Sequence, residues 1–244
     1  MIIGEEILAY FLLFFFSFVI TLLSIIWLIP NLRSKGFVGK DMNKLDKPEI
    51  PEMGGIGVII GFFIGIYIKI LIFYLFDIEQ IIDEFLIAAS LVLLGLGFVG
   101  LLDDLMDLRQ RTKAVLPFLF ALPLGVFVSD TMFIPFIGEI DFGFFMILLV
   151  PIGVTCAANA TNMLEGFNGL GTGLAMIICV TLIVIAILND NFKGIFLLAP
   201  LLGSLIAFYY FNSYPAQIFP GDTLTLFMGG VISCAAIISN LKLE

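Results

Sequence analysis

Eight long apolar runs dominate the sequence, and polar residues are confined to the stretches between them. The runs are Ile7–Ile29, Met53–Phe76, Phe85–Leu102, Ala114–Val128, Phe142–Ala160, Gly171–Leu188, Gly194–Phe211 and Thr223–Leu241. A helix of roughly 20 apolar residues crosses the hydrocarbon core of a bilayer, so each run has about the length of one span. The runs are continuous and lack the alternation of a membrane β-barrel. The pattern therefore predicts an all-α, polytopic membrane helix bundle with about eight transmembrane helices.

The fourth run is the weakest of the eight predicted spans. It is short, and it contains Pro117 and Pro123. Prolines are tolerated in membrane helices and often mark a kink. We therefore expect a kinked helix over this run.

Composition agrees with a membrane protein and excludes several other classes. Apolar residues make up 61% of the 244 residues and charged residues 13%, with a net charge of -9 and no histidine. Soluble domains have about 45–50% apolar and about 25% charged residues. A soluble fold, a basic nucleic-acid-binding face and any site that needs imidazole are therefore excluded. Cys156, Cys179 and Cys234 lie in apolar runs without metal-ligand or disulfide spacing.

The basic residues predict the orientation of the bundle. Of the 11 Lys and Arg residues, most lie in two loops, 31–52 and 103–113. Two spans separate these loops, so they share a face, which the positive-inside rule makes cytoplasmic. With eight spans, the N-terminus and the C-terminus both lie on the outer side of the membrane. The opposite loops are mainly acidic, with Asp77, Glu79, Asp83, Glu84, Asp130, Glu139, Asp141 and Asp190.

Loops 161–170 and 212–221 fall on the same predicted cytoplasmic face. All the unusual polar sequence is thus expected on one side of the membrane. Loops held by a rigid scaffold are where sites are built, so this face is the predicted site.

An aspartate pair follows the third run. Asp103 and Asp104 come directly after it, and Lys113 follows about two and a half turns later if the helix continues. Adjacent carboxylates are suited to binding Mg²⁺ or to acting as a base, and an ammonium group suits a phosphate. The alternative is a solvated loop whose charges only set the topology.

An amide-rich loop follows the fifth run. The segment from Asn159 to Gly171 contains Asn162, Glu165 and Asn168 among three glycines. An amide carbonyl can bind a hard cation, and an amide can also contact the edge of a nucleobase. The alternative is a helix–loop–helix turn with polar caps, but polar groups this close to the bilayer are costly unless they are satisfied.

Two further segments begin predicted spans. In Phe219-Pro-Gly-Asp222-Thr223 the carboxylate is a candidate cation ligand and Phe219 a candidate stacking surface, while Asp222 or Thr223 is alternatively a helix N-cap. Glu52 opens the second span and there favours the positive helix end. The combined inventory suits a Mg²⁺–pyrophosphate site at which a soluble nucleotide meets a lipid phosphate.

These four loops, in order over residues 41–223, resemble the signature loops of the polyprenyl-phosphate N-acetylhexosamine-1-phosphate transferases. The similarity rests on Asp103-Asp104 through Lys113, on Asn159 through Gly169, and on Phe219 through Thr223. Asp41-Met-Asn-Lys44 with Ile50-Pro-Glu52 is most similar to the eukaryotic and archaeal dolichyl-phosphate branch, while Met53-Gly-Gly55 is similar to the bacterial one.

The resemblance implies attack by a polyprenyl phosphate on a UDP-N-acetylhexosamine, with release of UMP. It implies that Asp222 and Asn162 hold Mg²⁺, with Mn²⁺ as a substitute, that Lys113 contacts phosphate, and that Asp103, beside Asp104, is the base. It further implies that Phe219 stacks on uracil, that Asn168 reads the uracil edge, and that Lys44 and Glu52 belong to the substrate-binding residues. The acceptor is expected to be dolichyl phosphate, with undecaprenyl phosphate as the alternative.

The chain departs from the family at two places. Bacterial members carry an aspartate at the position of Glu165, and the eukaryotic form carries no acid there, so the resemblance assigns Glu165 no role. Members usually have ten spans, so residues 1–244 are expected to form one integral membrane transferase domain without the last two. Members also often form dimers.

A multi-span cation transporter is the rival interpretation. A transporter is expected to place acidic residues at mid-span, whereas here they lie at loop junctions.

Overall fold

The computed structural model describes residues 3–76, 84–128, 131–134 and 136–239. The predicted loop acids Asp77, Glu79, Asp83 and Asp130 lie outside the described residues, as do the last two residues of the predicted eighth span. For residues 3–7 only the backbone is described.

Eight α-helices occur in the described part of the chain. They are α1 (Ile3–Ser34), α2 (Gly55–Leu75), α3 (Glu84–Met106), α4 (Gln110–Ala121), α5 (Met146–Met163), α6 (Leu170–Leu188), α7 (Ile195–Asn212) and α8 (Gly221–Ser239). Short 3₁₀ turns precede α5 at Gly143–Phe145 and α7 at Phe192–Gly194. Seven of the helices are long and apolar enough to cross a membrane. The prediction of an all-α polytopic membrane bundle is therefore confirmed.

The fourth predicted span differs from the other seven. Helix α4 has 12 residues and passes directly into a 3₁₀ helix, Leu122–Val126, that contains Pro123. Proline lacks the N–H group that continues an α-helix, which explains the change of helix type. The two pieces together are about 28 Å long, close to the hydrocarbon thickness. Because α3 ends and α4 begins at the same end of the bundle where α5 later ends, this segment carries the chain to the opposite end.

Two antiparallel hairpins occur in the connections and were not predicted. Strands β1 (Val38–Lys40) and β2 (Glu49–Pro51) pair with Gly39 opposite Ile50. Strands β3 (Thr131–Ile134) and β4 (Gly138–Asp141) pair with Met132 opposite Ile140. The first hairpin lies beside the polar loops described below.

Helix α8 lies at the centre of the bundle. It contacts α2, α3, α5, α6 and α7, and every residue from Thr223 to Val231 is buried. Helix α1 packs on the outside against α2 and α7. The start of α8, which carries Asp222, is thus surrounded by the helix ends that carry the other candidate residues.

Among the described residues, Lys69 is the charged residue that lies away from the ends of a spanning helix. Lys69 of α2 is only 5% exposed, with its ammonium 4.3 Å from the ring centroid of Phe73 and 5.4 Å from that of Phe196. Aromatic faces stabilise a cation in an apolar surrounding. Lys69 is therefore held by rings within its own bundle.

Candidate functional site

The four predicted polar loops meet at one end of the bundle. Lys113 at the start of α4 contacts Asp222 at the start of α8, and Asn168 between α5 and α6 contacts Asp41 of the first hairpin loop. The expectation that these loops share one face is met by these contacts. The segment 103–113, which the sequence places in a loop, begins differently: α3 continues to Met106, so both aspartates of the pair lie in its last turn.

Lys113 joins two carboxylates that are far apart in sequence. Its Nζ forms an ion pair with Asp103 and donates to Oδ2 of Asp222 at 2.9 Å. Asp103 is 4% exposed and also accepts the N–H of Leu108 at 2.7 Å. The helix does not continue to Lys113: α3 ends at Met106, the chain turns at Asp107, which has a φ of 51°, and Lys113 comes back to contact Asp103. Two carboxylates and one ammonium thus form a compact polar centre.

Asp104 caps helix α8 from a different helix. Its Oδ1 accepts the N–H of Asp222 at 2.7 Å, and its Oδ2 accepts the N–H of Thr223 at 3.0 Å and the hydroxyl of Thr223 at 2.5 Å. Gly221, with a φ of 69°, makes this approach possible, because a Cβ there would lie 2.5 Å from Oδ2 of Asp104. The alternative of an N-cap at Asp222 or Thr223 is therefore wrong, since the capping carboxylate comes from α3.

Backbone hydrogen bonds attach the first hairpin to the segment before α8. The N–H of Phe219 donates to the carbonyl of Pro51 at 2.8 Å, and the N–H of Gly54 donates to the carbonyl of Phe219 at 2.9 Å. Glu52 packs its carboxyl group onto Gly39. Burial, together with the negative charge of Asp104, raises the pKa of Glu52. Glu52 therefore lies beside the polar centre and is not among the residues that line the pocket.

A pocket of about 280 Å³ opens next to the polar centre. Four of the predicted residues line it: Asn162, Asn168, Phe219 and Asp222. Glu165 lines it too, together with residues to which the sequence assigned no role, namely Lys40, Asp41, Met42, Asn43, Gly166, Phe167, Asn212, Pro220, Gly221 and Thr225. Lys44 is not part of the lining. Phe219 is half-buried, so part of its side chain remains accessible at the pocket wall.

Asp41 is the most important residue that sequence reasoning left without a role. It is 2% exposed, and its carboxylate accepts the N–H of Asn43 at 3.2 Å, the amide of Asn168 at 3.1 Å and the ammonium of Lys44 at 3.1 Å. Burial alone would raise its pKa, but the donors outweigh burial and hold the pKa below its usual value. Lys44 acts here as a partner of Asp41 and lies 5.1 Å from the ring centroid of Tyr214. The sequence signal that could have identified Asp41 is its position in Asp41-Met-Asn-Lys44, a motif that belongs to the family resemblance.

Buried side-chain hydrogen bonds hold the loops around the pocket. Thr161 donates to the carbonyl of Thr225 at 2.7 Å, which ties the end of α5, and with it Asn162, to α8. Thr172 donates to Oδ1 of Asn212 at 3.0 Å, and Asn212 donates to the carbonyl of Ile218 at 3.0 Å. Side-chain hydrogen bonds therefore connect α5 to α8, α6 to α7, and α7 to the segment before α8, all of which surround the pocket.

Glu165 is an acid with little solvation. Burial raises its pKa to about 7, although the N–H of Gly171 acts in the opposite direction. Its Oε2 is buried without a hydrogen-bond partner among the described residues, and a Cβ at Gly171 would lie 1.8 Å from that oxygen. The family resemblance assigned Glu165 no role, whereas in the structure Glu165 lines the pocket.

The donor set is suited to a hard divalent cation. Asn162, Glu165 and Asp222 line the same pocket, and each has at least one side-chain oxygen, the ligand atom that Mg²⁺ prefers. One oxygen of Glu165 lacks a hydrogen-bond partner among the described residues, and Lys113 takes Oδ2 of Asp222. The described residues contain no cluster of three or more acidic, His or Cys groups around one point. The protein groups therefore fit a cation that takes its remaining ligands from substrate and water.

Comparison with known proteins gives a consistent family. Residues 86–240 match the sequence profile of glycosyl transferase family 4. A protein of Saccharolobus solfataricus, named as a candidate UDP-N-acetylglucosamine–dolichyl-phosphate N-acetylglucosaminephosphotransferase, is 39% identical over 239 residues, which are 95% of this chain and 72% of that protein. A protein of Sulfolobus acidocaldarius with the same name is 40% identical over 227 residues, 91% of this chain and 68% of that protein. The phospho-N-acetylmuramoyl-pentapeptide-transferase of Borreliella burgdorferi is 29% identical over 261 residues, 91% of this chain and 72% of that protein. The resemblance seen in the sequence is thereby confirmed, and the chain, a multi-pass membrane enzyme, belongs to glycosyl transferase family 4.

Proposed function

We propose that the protein transfers N-acetylglucosamine 1-phosphate from UDP-N-acetylglucosamine to a polyprenyl phosphate of the dolichyl type. An oxygen of the lipid phosphate attacks the β-phosphorus of the nucleotide sugar, the bond from that phosphorus to the bridging oxygen breaks, and UMP leaves. The product is the first lipid-linked sugar of a glycan. Two archaeal relatives named for this activity support the substrates.

The observation that carries the proposal is the position of Lys113. Its ammonium lies between Asp103 and Asp222 at the end of three helices, directly beside the pocket that Asp222 and Phe219 line. An ammonium at this junction suits the phosphate of the lipid acceptor, and the neighbouring pocket suits the nucleotide of the sugar donor.

The remaining residues then have defined tasks. Phe219 offers a ring face for a nucleobase, and Asn168 offers an amide to its edge. Asp103 accepts a proton from the lipid phosphate only when Lys113 moves towards substrate, because the ion pair occupies the carboxylate in this structure. Asp104 acts as a positioning residue through its cap on α8.

We propose that Asn162 and Asp222 bind Mg²⁺, which supplies positive charge to the pyrophosphate. Lys113 takes Oδ2 of Asp222, which leaves Oδ1 of that carboxylate for the cation. A neutral amide and one carboxylate bind Mg²⁺ weakly by themselves. Nucleotide-dependent Mn²⁺ binding, measured by electron paramagnetic resonance, is therefore expected in the wild type and lost in Asp222→Ala. Unaltered binding in Asp222→Ala would place the ion elsewhere.

The decisive experiment uses radiolabelled UDP-sugars. Detergent-solubilised protein with dolichyl phosphate and Mg²⁺ is expected to form labelled lipid and one equivalent of UMP from UDP-N-acetylglucosamine. Parallel reactions with undecaprenyl phosphate and with UDP-N-acetylgalactosamine define acceptor and sugar choice. A transporter would release no UMP, and among the described spanning helices no carboxylate lies at mid-span. Absence of both products with every pair of substrates would refute the proposal.

We also propose that the site faces the cytoplasm, because the basic loops lie at this end. The exposed Leu45 beside the site and the exposed Phe136 in the connection at the opposite end are suitable positions for single cysteines. The background is Cys156→Ser, since Cys156 is the exposed native cysteine and the other two are buried. A membrane-impermeant maleimide is expected to label Phe136→Cys from outside and Leu45→Cys only after permeabilisation. The reverse pattern would invert the proposed orientation.

A further inference from the structure

The contacts of Asp41 determine how the amide of Asn168 is turned. The two ends of an asparagine amide are chemically opposite, since the nitrogen donates and the oxygen accepts. Asp41 is surrounded by donors, namely the N–H of Asn43 and the ammonium of Lys44, in addition to Asn168. An ionised carboxylate only accepts hydrogen bonds, so the nitrogen end of Asn168 must face Asp41.

The oxygen end of Asn168 is consequently left for the pocket. Asn168 is half-buried and lines the same pocket as Phe219. The hydrogen bonds of the described residues give Nδ2 of Asn168 a partner in Asp41 and give Oδ1 no donor. The pocket wall beside the stacking ring therefore presents a hydrogen-bond acceptor.

We propose that Asp41 is a positioning residue that turns Asn168 into an acceptor and thereby makes the pocket select uracil over cytosine. This inference rests on the proposed function, in which a nucleotide sugar occupies the pocket. The N3 atom of uracil carries a hydrogen and donates, whereas N3 of cytosine is an acceptor. Uracil therefore satisfies Oδ1 of Asn168, while cytosine brings two acceptors together.

The role is separable from simple attachment of the hairpin to the amide loop. Asn43 donates from Nδ2 to the carbonyl of Gly166 at 2.8 Å, which connects the same two segments without Asp41. The backbone bonds of Phe219 to Pro51 and Gly54 hold the hairpin at a second place. Loss of the Asp41–Asn168 hydrogen bond alone is therefore expected to change the direction of the amide without detaching the loop.

The test compares binding of UMP and CMP to the full chain in detergent with Mg²⁺, by calorimetry. The wild type is expected to prefer UMP by roughly tenfold to a hundredfold, since an acceptor facing an acceptor leaves both groups unpaired. In Asp41→Asn the new amide can either donate a hydrogen bond to Asn168 or accept one from it, so both orientations of the Asn168 amide become available. The preference is then expected to fall to within about threefold, mainly through tighter CMP binding.

A matched control and a rescue separate positioning from charge and from folding. Asp46→Asn removes one negative charge from the same hairpin loop at an exposed position and is expected to keep the wild-type preference. The double variant Asp41→Asn/Asn168→Asp restores an acceptor at position 168 with a donor behind it, so the preference for UMP is expected to return. If Asp41→Asn does not fold, Asp41→Ser is used, because a hydroxyl also both donates and accepts.

The outcomes distinguish the inference from the proposed function. A wild type that prefers UMP together with an Asp41→Asn or Asp41→Ser protein that keeps this preference would overturn the inference and leave the function standing. Failure of the double variant to regain the preference would also overturn it. A wild type that binds UMP and CMP equally well refutes the inference, and one that binds neither refutes the proposed nucleotide site as well.

Discussion

The cap that Asp104 places on α8 leads to a prediction about stability. The substitution Asp104→Asn keeps the size of the side chain but leaves one acceptor oxygen in place of two. Asp104 accepts two backbone N–H groups through different oxygens, so in either orientation the new amide leaves the N–H of Asp222 or of Thr223 without its partner. The substitution also removes an anion from the N-terminus of a buried helix.

The magnitude follows from these two losses. An unsatisfied buried donor costs about 1–3 kcal/mol, and an anion at a helix N-terminus contributes about 0.3–1 kcal/mol. A central value of about 2.5 kcal/mol lowers the apparent Tm of a chain of this size by about 5–10 °C. Turnover is expected to fall as well, because Asp222 follows the displaced helix start.

The assay is thermal unfolding in detergent, followed in parallel with UMP release. Asp107→Asn is the control, since Asp107 is exposed and has a φ of 51°, a conformation that asparagine adopts readily. This control is expected to stay within about 0.5 kcal/mol of the wild type. An Asp104→Asn protein that loses turnover with an unchanged Tm would refute the capping argument and return Asp104 to the reacting groups.

Three further predictions test other parts of the site. Phe219→Ala is expected to raise KM for the UDP-sugar by roughly tenfold to a hundredfold with a smaller effect on kcat, because stacking is worth roughly 1–3 kcal/mol per base; an unchanged KM would remove Phe219 from the nucleotide site. The pKa of Glu165 is raised to about 7, so the folded form keeps a proton that the unfolded chain releases above about 4.5, and stability falls as pH rises between these values. Glu165→Gln is therefore expected to have a higher Tm than the wild type at pH 8 in chelator, with the difference shrinking towards pH 5; no difference at pH 8 would contradict the raised pKa. Lys113→Gln is expected to lower both Tm and turnover, because the glutamine leaves Asp103 and Asp222 without their shared cation. Lys113→Arg is expected to recover part of both. Wild-type turnover in Lys113→Gln would exclude a contact between Lys113 and phosphate.

The architecture was predictable because membrane insertion imposes a local rule. Each span must satisfy its own backbone hydrogen bonds, so an apolar run of sufficient length indicates a helix without knowledge of its neighbours. Seven runs behaved in this way. The run at Ala114–Val128 was predicted as one kinked helix, but Pro123 lies in a 3₁₀ segment after a shorter α-helix. The hairpins were missed because their strands have only three or four residues.

For the site, the sequence determined which residue types are present and which loops carry them. It also predicted which loops share a face, because the number of spans between two loops decides whether they lie on the same side. Only the tertiary structure decided how those residues are used. Asp103 and Asp104 are adjacent in sequence, yet successive positions on a helix point about 100° apart. One therefore reaches Lys113 and the other reaches the start of α8. Asp41 and Asn168 are 127 residues apart, and their hydrogen bond exists only because two loops pack together. Pairings of this kind depend on distances between side chains that no local sequence pattern specifies.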